Sequence, residues 1–109
     1  MLSSRKKEKW VSQFTDCVEQ SLGDPNLTAT ELARQMGISE RQLFRNVKNY
    51  TGYTPNELIN QIRFQKAYDC LQAGAFDTVA EIAAAVGFKD AGYFSKKFKE
   101  RFGVSPSEV

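Results

Sequence analysis

The sequence contains no histidine, and that absence removes most of the enzyme chemistry a small chain could carry. Without imidazole there is no His general base, no Ser–His or Cys–His nucleophile pair and almost no ordinary zinc site. Cysteine is nearly as scarce. Cys17 and Cys70 are the only two, each within a helical pattern and without a Cys or His neighbour, so both read as small apolar packing residues rather than redox or metal groups. No catalytic residue, metal ligand or cofactor is therefore expected, and the chain is not expected to be an enzyme. Long apolar runs are missing too: none approaches the roughly 18 residues of a membrane span, and the basic start lacks the apolar stretch of a secretion signal. No membrane contact is expected, and the expected location is the cytoplasm. Three prolines and seven glycines fall mostly at punctuation points, and no alternating run demands a strand. The expected fold is all-α, either one small globular domain or two mini-domains too small to stand alone.

What the chain does have is helical punctuation. Residues 78–108 hold two short apolar patterns joined by a turn too tight to be a flexible linker. Val79, Ile82, Ala83 and Val86 share one face at three-and-four spacing, and Tyr93, Phe94, Phe98 and Phe102 do the same further on. Between them, Gly87 can take the left-handed backbone that ends a helix, and Phe88 can turn back into the angle between the two helices. Thr78 with Glu81 is a capping box, and Asp90 suits the N-cap of the second helix. The pattern is helix-turn-helix.

The same unit is written earlier in the chain. Thr28 with Glu31 opens a helix whose Leu32, Ala33 and Met36 face inward; Gly37 ends it, Ile38 follows, and Ser39 caps a helix with Leu43 and Val47 on its buried side. Laying Thr28 on Thr78 aligns Glu31 with Glu81, Ala33 with Ala83 and Gly37 with Gly87, an offset of 50 residues. Past the turn the offset is 51, and Leu43 meets Phe94, Arg45 meets Lys96, Val47 meets Phe98 and Pro55 meets Pro106. A one-residue change in turn length with the register restored on both sides marks two copies of one unit.

Before the first copy, Trp10, Phe14, Cys17, Val18, Ser21 and Leu22 form the stripe of a helix expected from Trp10 to about Leu22 and stopped by Gly23, Asp24 and Pro25. Trp10 reads as a core anchor. Between the copies, Thr54 as N-cap, Pro55 at the first helical position and Glu57 reaching back start a long helix. Leu58, Ile62, Ala67 and Leu71 supply its buried face, with Ile59 and Tyr68 at the margins and Gly74 at its end. Its residues 55–73 would rise about 28 Å, against roughly 34 Å between successive major-groove faces on one side of B-DNA. A stiff connector of that length can hold two reading heads over neighbouring grooves. The expected organisation is a basic linker or arm at 1–9, a first helix-turn-helix subdomain at 10–53, a linking helix at 54–74, and a second subdomain at 75–109, cut short in its last helix. The expected architecture is two helix-turn-helix subdomains in tandem, joined by the long linking helix.

Net charge is only +2, but its distribution is uneven. Residues 40–51 carry Arg41, Arg45 and Lys48 against Glu40, and residues 90–102 carry Lys96, Lys97, Lys99 and Arg101 against Asp90 and Glu100. Arg5, Lys6, Lys7 and Lys9 against Glu8 make the third basic segment. One such segment is explained by a solvated helix face; two equivalent ones, each the second helix of a turn motif, point to a polyanion. The N-terminal segment reads as a linker remnant, a cloning scar or a flexible arm touching phosphate.

Together these residues resemble the DNA-binding domain of the AraC/XylS transcription regulators, from about Trp10 to Glu108. The most specific run is Ile82-Ala83, Gly87-Phe88, Tyr93-Phe94-Ser95-Lys96, Phe98-Lys99, Phe102-Gly103 and Ser105-Pro106, joined by Arg63 and Ala67 in the linking helix. The stretch Ser39-Glu40-Arg41-Gln42-Leu43, followed by Thr51-Gly52 and Thr54-Pro55, is similar to the output domains of two-component hybrid sensors. The resemblance implies that the two subdomains are homeodomain-like, and that the second helix of each copy enters a major groove and sets its early exposed positions at base edges. Those positions are Arg41, Phe44 and Arg45 in the first copy, and Ala91, Gly92, Ser95 and Lys96 in the second. Arg41 and Arg45, four apart on one helix face, can pair with guanine O6 and N7 or hold phosphate. Phe44 fits either a thymine methyl or the core. Ala91 and Gly92 have almost nothing to hydrogen-bond with, so the first copy is expected to discriminate sequence and the second to add affinity and register. Lys48, Lys97, Lys99 and Arg101 are candidate phosphate contacts. Helix N-termini can also hold phosphate, although Thr28, Thr54 and Thr78 read as caps, and Arg63 is expected to bridge the two lobes structurally.

The leading expectation is sequence-specific binding of double-stranded DNA as the output of a transcription regulator. The alternative is a protein-interaction module meeting an acidic partner such as an RNA polymerase subunit. Both ends look cut, so sensing and dimerisation are expected to lie in other parts of a larger protein.

Overall fold

Five polar side chains fix where five helices begin in the computed structural model, which describes residues 2–109. The elements are α1 Leu2–Gln20, α2 Ala29–Met36, α3 Glu40–Thr51, α4 Pro55–Ala73, α5 Val79–Ala85 and α6 Ala91–Phe102, followed by a 3-10 turn at Pro106–Glu108. Among the described residues there is no strand. Thr28, Ser39, Thr54 and Thr78 each accept, on the side-chain oxygen, the amide of the residue three positions on, at 3.1 to 3.2 Å. Asp90 Oδ1 accepts two amides, from Gly92 at 2.8 Å and Tyr93 at 3.2 Å. Each of these bonds satisfies an amide that the helix itself leaves orphaned.

Only one of the three expected capping boxes closes in both directions. Glu57 accepts the Thr54 amide at 3.3 Å while Thr54 accepts the Glu57 amide. Glu81 instead takes the Asp77 amide at 3.3 Å, and Glu31 turns away to Arg34 and Gln35, whose side-chain nitrogens donate to it. The Thr54 hydroxyl, and then the Thr54 amide, hold the Glu57 carboxyl below its ordinary pKa. A carboxyl depressed in the folded state adds stability above its unfolded pKa of about 4.3, and that contribution is lost as pH falls through the folded value. The melting temperature of the native chain should therefore exceed that of Glu57→Gln at pH 7, and the gap should close as pH is lowered to about 3. A gap that does not change with pH would show that the charge of the cap is not what stabilises α4.

Both turns of the helix-turn-helix units are built alike. Gly37 and Gly87 have φ of 70° and 93°, and the next amide in each case returns to the helix, Ile38 to Ala33 O at 3.0 Å and Phe88 to Ala83 O at 2.8 Å. Thereafter they differ by one residue: Ser39 caps α3 directly after Ile38, whereas Lys89 stands between Phe88 and the cap Asp90. Lys89 is the residue by which the offset grows from 50 to 51.

α1 begins at Leu2, not at Trp10, and ends at Gln20. Nothing between Leu2 and Trp10 breaks a helix, and Arg, Lys and Glu are good helix formers. The segment expected as an arm is thus helical from residue 2, and Met1 lies outside the described residues.

The contacts divide the chain into two units. The first comprises α1 with Ser21, and Leu27–Ile62. Its core is Phe14 and Val18 of α1, Leu32 and Ala33 of α2, Leu43 and Val47 of α3, and Leu58 and Ile59 of α4, with Leu27 beneath them. Trp10 stacks on Phe14 at 5.8 Å and meets Tyr50 edge-on at 5.6 Å, which makes it the anchor its position suggested.

The second unit comprises Leu22–Asn26 and Arg63–Val109. It is held by aromatic side chains: Phe64 packs on Phe88 and Phe94, and Phe98 lies among Tyr68, Phe94 and Phe102, with ring centroids 4.5 to 6.3 Å apart. Ile82, Ala83 and Val86 of α5 complete that core. Tyr93, expected on its inward stripe, is instead 50% exposed. It lies about 100° around the helix from Phe94, beyond the face that Phe94 and Phe98 share.

Arg63 is 7% exposed and donates to Asp24 O at 2.8 Å. Burial lowers its pKa and the Asp24 carboxylate partly offsets this. Its guanidinium lies 5.9 Å from the Phe88 ring centroid, and both its partners belong to the second unit. The expected bridge between the two lobes is replaced by one inside the second unit: Arg63 pins the loop after α1 against α4 and the α5–α6 turn.

Candidate nucleic-acid interface

The exposed face of α3 is set by its buried one. With Leu43 and Val47 fully covered, helical spacing leaves Arg41, Phe44, Arg45, Lys48 and Asn49 together on the outside, and these five line one shallow surface hollow. Ser39 caps the helix, and Thr30 of α2 donates to Glu40 beside that cap. Glu40 is thereby turned toward α2. Among the described residues no salt bridge engages Arg41 or Arg45, so two exposed guanidinium groups stand one helical turn apart on the same side.

Phe44, for which both a core and a surface position were open, is 50% exposed and sits between them. Lys48 donates to Gly52 O at 3.1 Å, where its charge complements the carbonyl end of the helix. Asn49 did not figure among the sequence candidates. Its signal was available: it follows Arg45 by four residues and Arg41 by eight, and so shares their face.

On α6 the equivalent face carries Gly92, Ser95, Lys96 and Lys99. Gly92 and Lys96 are exposed and Ser95 is half-buried. A Cβ on Gly92 would lie 3.2 Å from Asp90 Oδ1, the oxygen that caps the helix, so the glycine leaves the cap undisturbed. The three phosphate candidates on α6, Lys97, Lys99 and Arg101, do not share a face. Lys99 lies with Ser95 and Lys96, whereas Lys97 pairs with Glu100 at 3.3 Å and lies 5.8 Å from the Tyr93 ring centroid. Arg101 stands over Phe64 at 4.9 Å. One residue turns the helix by about 100°, which puts positions 97 and 101 on the far flank from 95 and 99.

The helix N-termini carry the caps that the sequence suggested. One amide at each of α2, α3, α4 and α5 is engaged by Thr28, Ser39, Thr54 and Thr78, and at α6 two are engaged by Asp90, a cap that is itself a carboxylate. Lys89 is exposed in the α5–α6 turn and is a further cation, absent from the candidates that the sequence suggested. Among the described residues no group of acidic or cysteine side chains could hold a metal ion, and no helix is long and apolar enough to cross a membrane.

Comparison with known proteins bears on this surface. The family model described as a helix-turn-helix domain matches residues 32–109. A histidine kinase of Formosa agariphila is 33% identical over 101 residues, 93% of this chain and 7% of that protein. A probable thc operon regulatory protein of Rhodococcus erythropolis is 44% identical over 100 residues, 90% of this chain and 30% of that protein. The chain thus spans less than a third of the length of these relatives. Among solved structures, an AraC-type DNA-binding transcriptional regulator from Chromobacterium violaceum superposes with a TM-score of 0.83 at 26% identity, covering 99% of this chain and 92% of its own. The C-terminal domain of AraT, a response regulator from Geobacillus stearothermophilus, gives 0.77 at 30% identity, covering 90% of this chain and 80% of its own.

Proposed function

Because the chain belongs to the AraC-type helix-turn-helix family, whose fold and function are those of DNA-binding transcription regulators and not of enzymes, we propose that it binds double-stranded DNA sequence-specifically, with α3 and α6 in successive major grooves. One observation carries this reading: Arg41 and Arg45 stand exposed and without a salt bridge on the face of α3 that also presents Phe44, Lys48 and Asn49. Arginine reads guanine through two parallel donors, asparagine reads adenine, and an apolar side chain meets the thymine methyl. The face is chemically able to distinguish bases.

α6 repeats the geometry with little to read with. Gly92 has no side chain, and Ser95 and Lys96 each offer a single contact, so α6 contributes register and phosphate affinity while α3 selects the sequence. The 19 residues of α4, rising about 28 Å, suit a pair of heads set on grooves roughly 34 Å apart. A histidine kinase and a response regulator among the similar proteins favour an output domain of two-component signalling acting on DNA in the cytoplasm.

Arg41→Ala and Arg45→Ala should each weaken binding to the preferred site by about 1–3 kcal/mol and relax specificity locally. Binding-site selection on the isolated chain and both variants tests this, and an unchanged selected motif in the variants would remove the assignment. One observation favours a second reading: Tyr93 is half exposed beside Lys97, a surface that suits an acidic protein such as an RNA polymerase subunit. Titrating duplex DNA against salt separates the two. DNA binding through several phosphates weakens steeply as salt rises and keeps its sequence preference under competitor DNA.

A further inference from the structure

Arg5, Lys6, Lys7 and Lys9 lie in the first turns of α1, all exposed, and the reading of α3 and α6 makes no use of them. Among the described residues no salt bridge engages any of the four. Four exposed cations within five residues suit a dense anion.

Position narrows the choice of anion. Trp10 follows directly and meets Tyr50, in the last turn of α3, edge-on at 5.6 Å. The basic turns therefore continue α1 beyond its contact with the C-terminal end of α3. A helix that reads a major groove with its N-terminal part has its C-terminal end beside the DNA backbone, as in homeodomains. We infer that residues 5–9 form a helical phosphate-binding extension that holds the DNA backbone flanking the bases read by α3. This rests on the DNA-binding reading above and gives the basic start a partner, the sugar-phosphate strand, with no part in choosing sequence.

The test compares three proteins in titrations of duplex DNA across a range of salt: the native chain, a combined Lys6→Gln, Lys7→Gln and Lys9→Gln variant, and Lys66→Gln as a reference for loss of an exposed charge elsewhere. The combined variant should show a log–log salt slope shallower by about 0.9 for each phosphate it no longer neutralises, and its selected DNA motif should match that of the native chain. Amide exchange of residues 5–9 should also slow when the native chain binds DNA. An unchanged slope in the combined variant, or a change per charge no greater than in Lys66→Gln, overturns the extension while leaving DNA recognition by α3 intact. Absence of any sequence-preferring DNA binding by the native chain overturns the underlying reading instead. Trp10 fluorescence confirms that the first unit of each variant is folded.

Discussion

Gly87→Ala should destabilise the chain by at least about 3 kcal/mol, a fall of roughly 12–24 °C in melting temperature for a domain of this size. Two costs add. With φ at 93°, an L-residue gives up roughly 1–2 kcal/mol to left-handed backbone. The new Cβ would also stand 2.4 Å from Leu22 O and 3.0 Å from Arg63 Cζ and Nε, and the first of these is backbone that cannot swing aside. Arg63 has little room to retreat, because it is buried and bonded to Asp24 O, and its Nε already has no acceptor.

The equivalent change in the first copy isolates the second cost. Gly37 has φ of 70° and nothing within 4 Å of an added Cβ, so Gly37→Ala should cost only about 1–2 kcal/mol. Thermal and urea denaturation of both variants checks the pair. Equal losses would mean that close packing against Arg63 and Leu22 contributes nothing to the second turn.

Phe98→Ala should cost about 3–5 kcal/mol, the range for deleting a fully buried ring. Phe98 is 0% exposed and lies among Tyr68, Phe94 and Phe102. Those neighbours are rings held by their own stacking, so they cannot collapse into the space left behind. Its counterpart Val47, also 0% exposed, is smaller, and Val47→Ala removes two methyl groups worth about 1.6 kcal/mol of transfer free energy before any cavity is counted. Trp10, the single tryptophan, belongs to the first unit and reports on that unit, whereas far-ultraviolet circular dichroism reports on every helix. In Phe98→Ala the dichroism transition should begin below the fluorescence transition; in Val47→Ala it should not. Identical shifts in both probes for both variants would show that the two cores melt as one.

How much of this could be read from the sequence depended on how local each feature is. Caps at Thr28, Ser39, Thr54, Thr78 and Asp90, and the glycine turns, follow from residues within one helical turn of each other, and all were legible. The repeat was legible because its register recovers after Lys89. The buried face of α4 was legible only in part: Leu58 and Ala67 are buried as expected, whereas Ile62 and Leu71 are half-buried. Leu58 and Ile59 are buried in the first unit while Phe64, Ala67 and Arg63 are buried in the second, so one helix carries two apolar faces and no single stripe describes it. Charge partners were equally opaque. Glu31 leaves its cap for Arg34, Lys97 turns to Glu100, and Arg101 covers Phe64, choices made by side-chain reach that spacing alone leaves open. At the candidate site the sequence supplied Arg41, Phe44 and Arg45 and missed Asn49, which becomes visible only when the face is followed for a third turn.

The surface hollow on α3 also bears on how this chain can change. Arg41, Phe44, Arg45, Lys48 and Asn49 are all exposed, and Leu43 and Val47 on the opposite side hold the helix in place. Substitutions of exposed residues that carry no core or cap role usually alter stability by no more than about 0.5 kcal/mol. Lys48, whose ammonium bonds the carbonyl of the C-cap Gly52, is the exception; the other four positions are free to vary without loss of the fold, and a library randomised there should yield folded proteins far more often than one randomised along the aromatic core of the second unit.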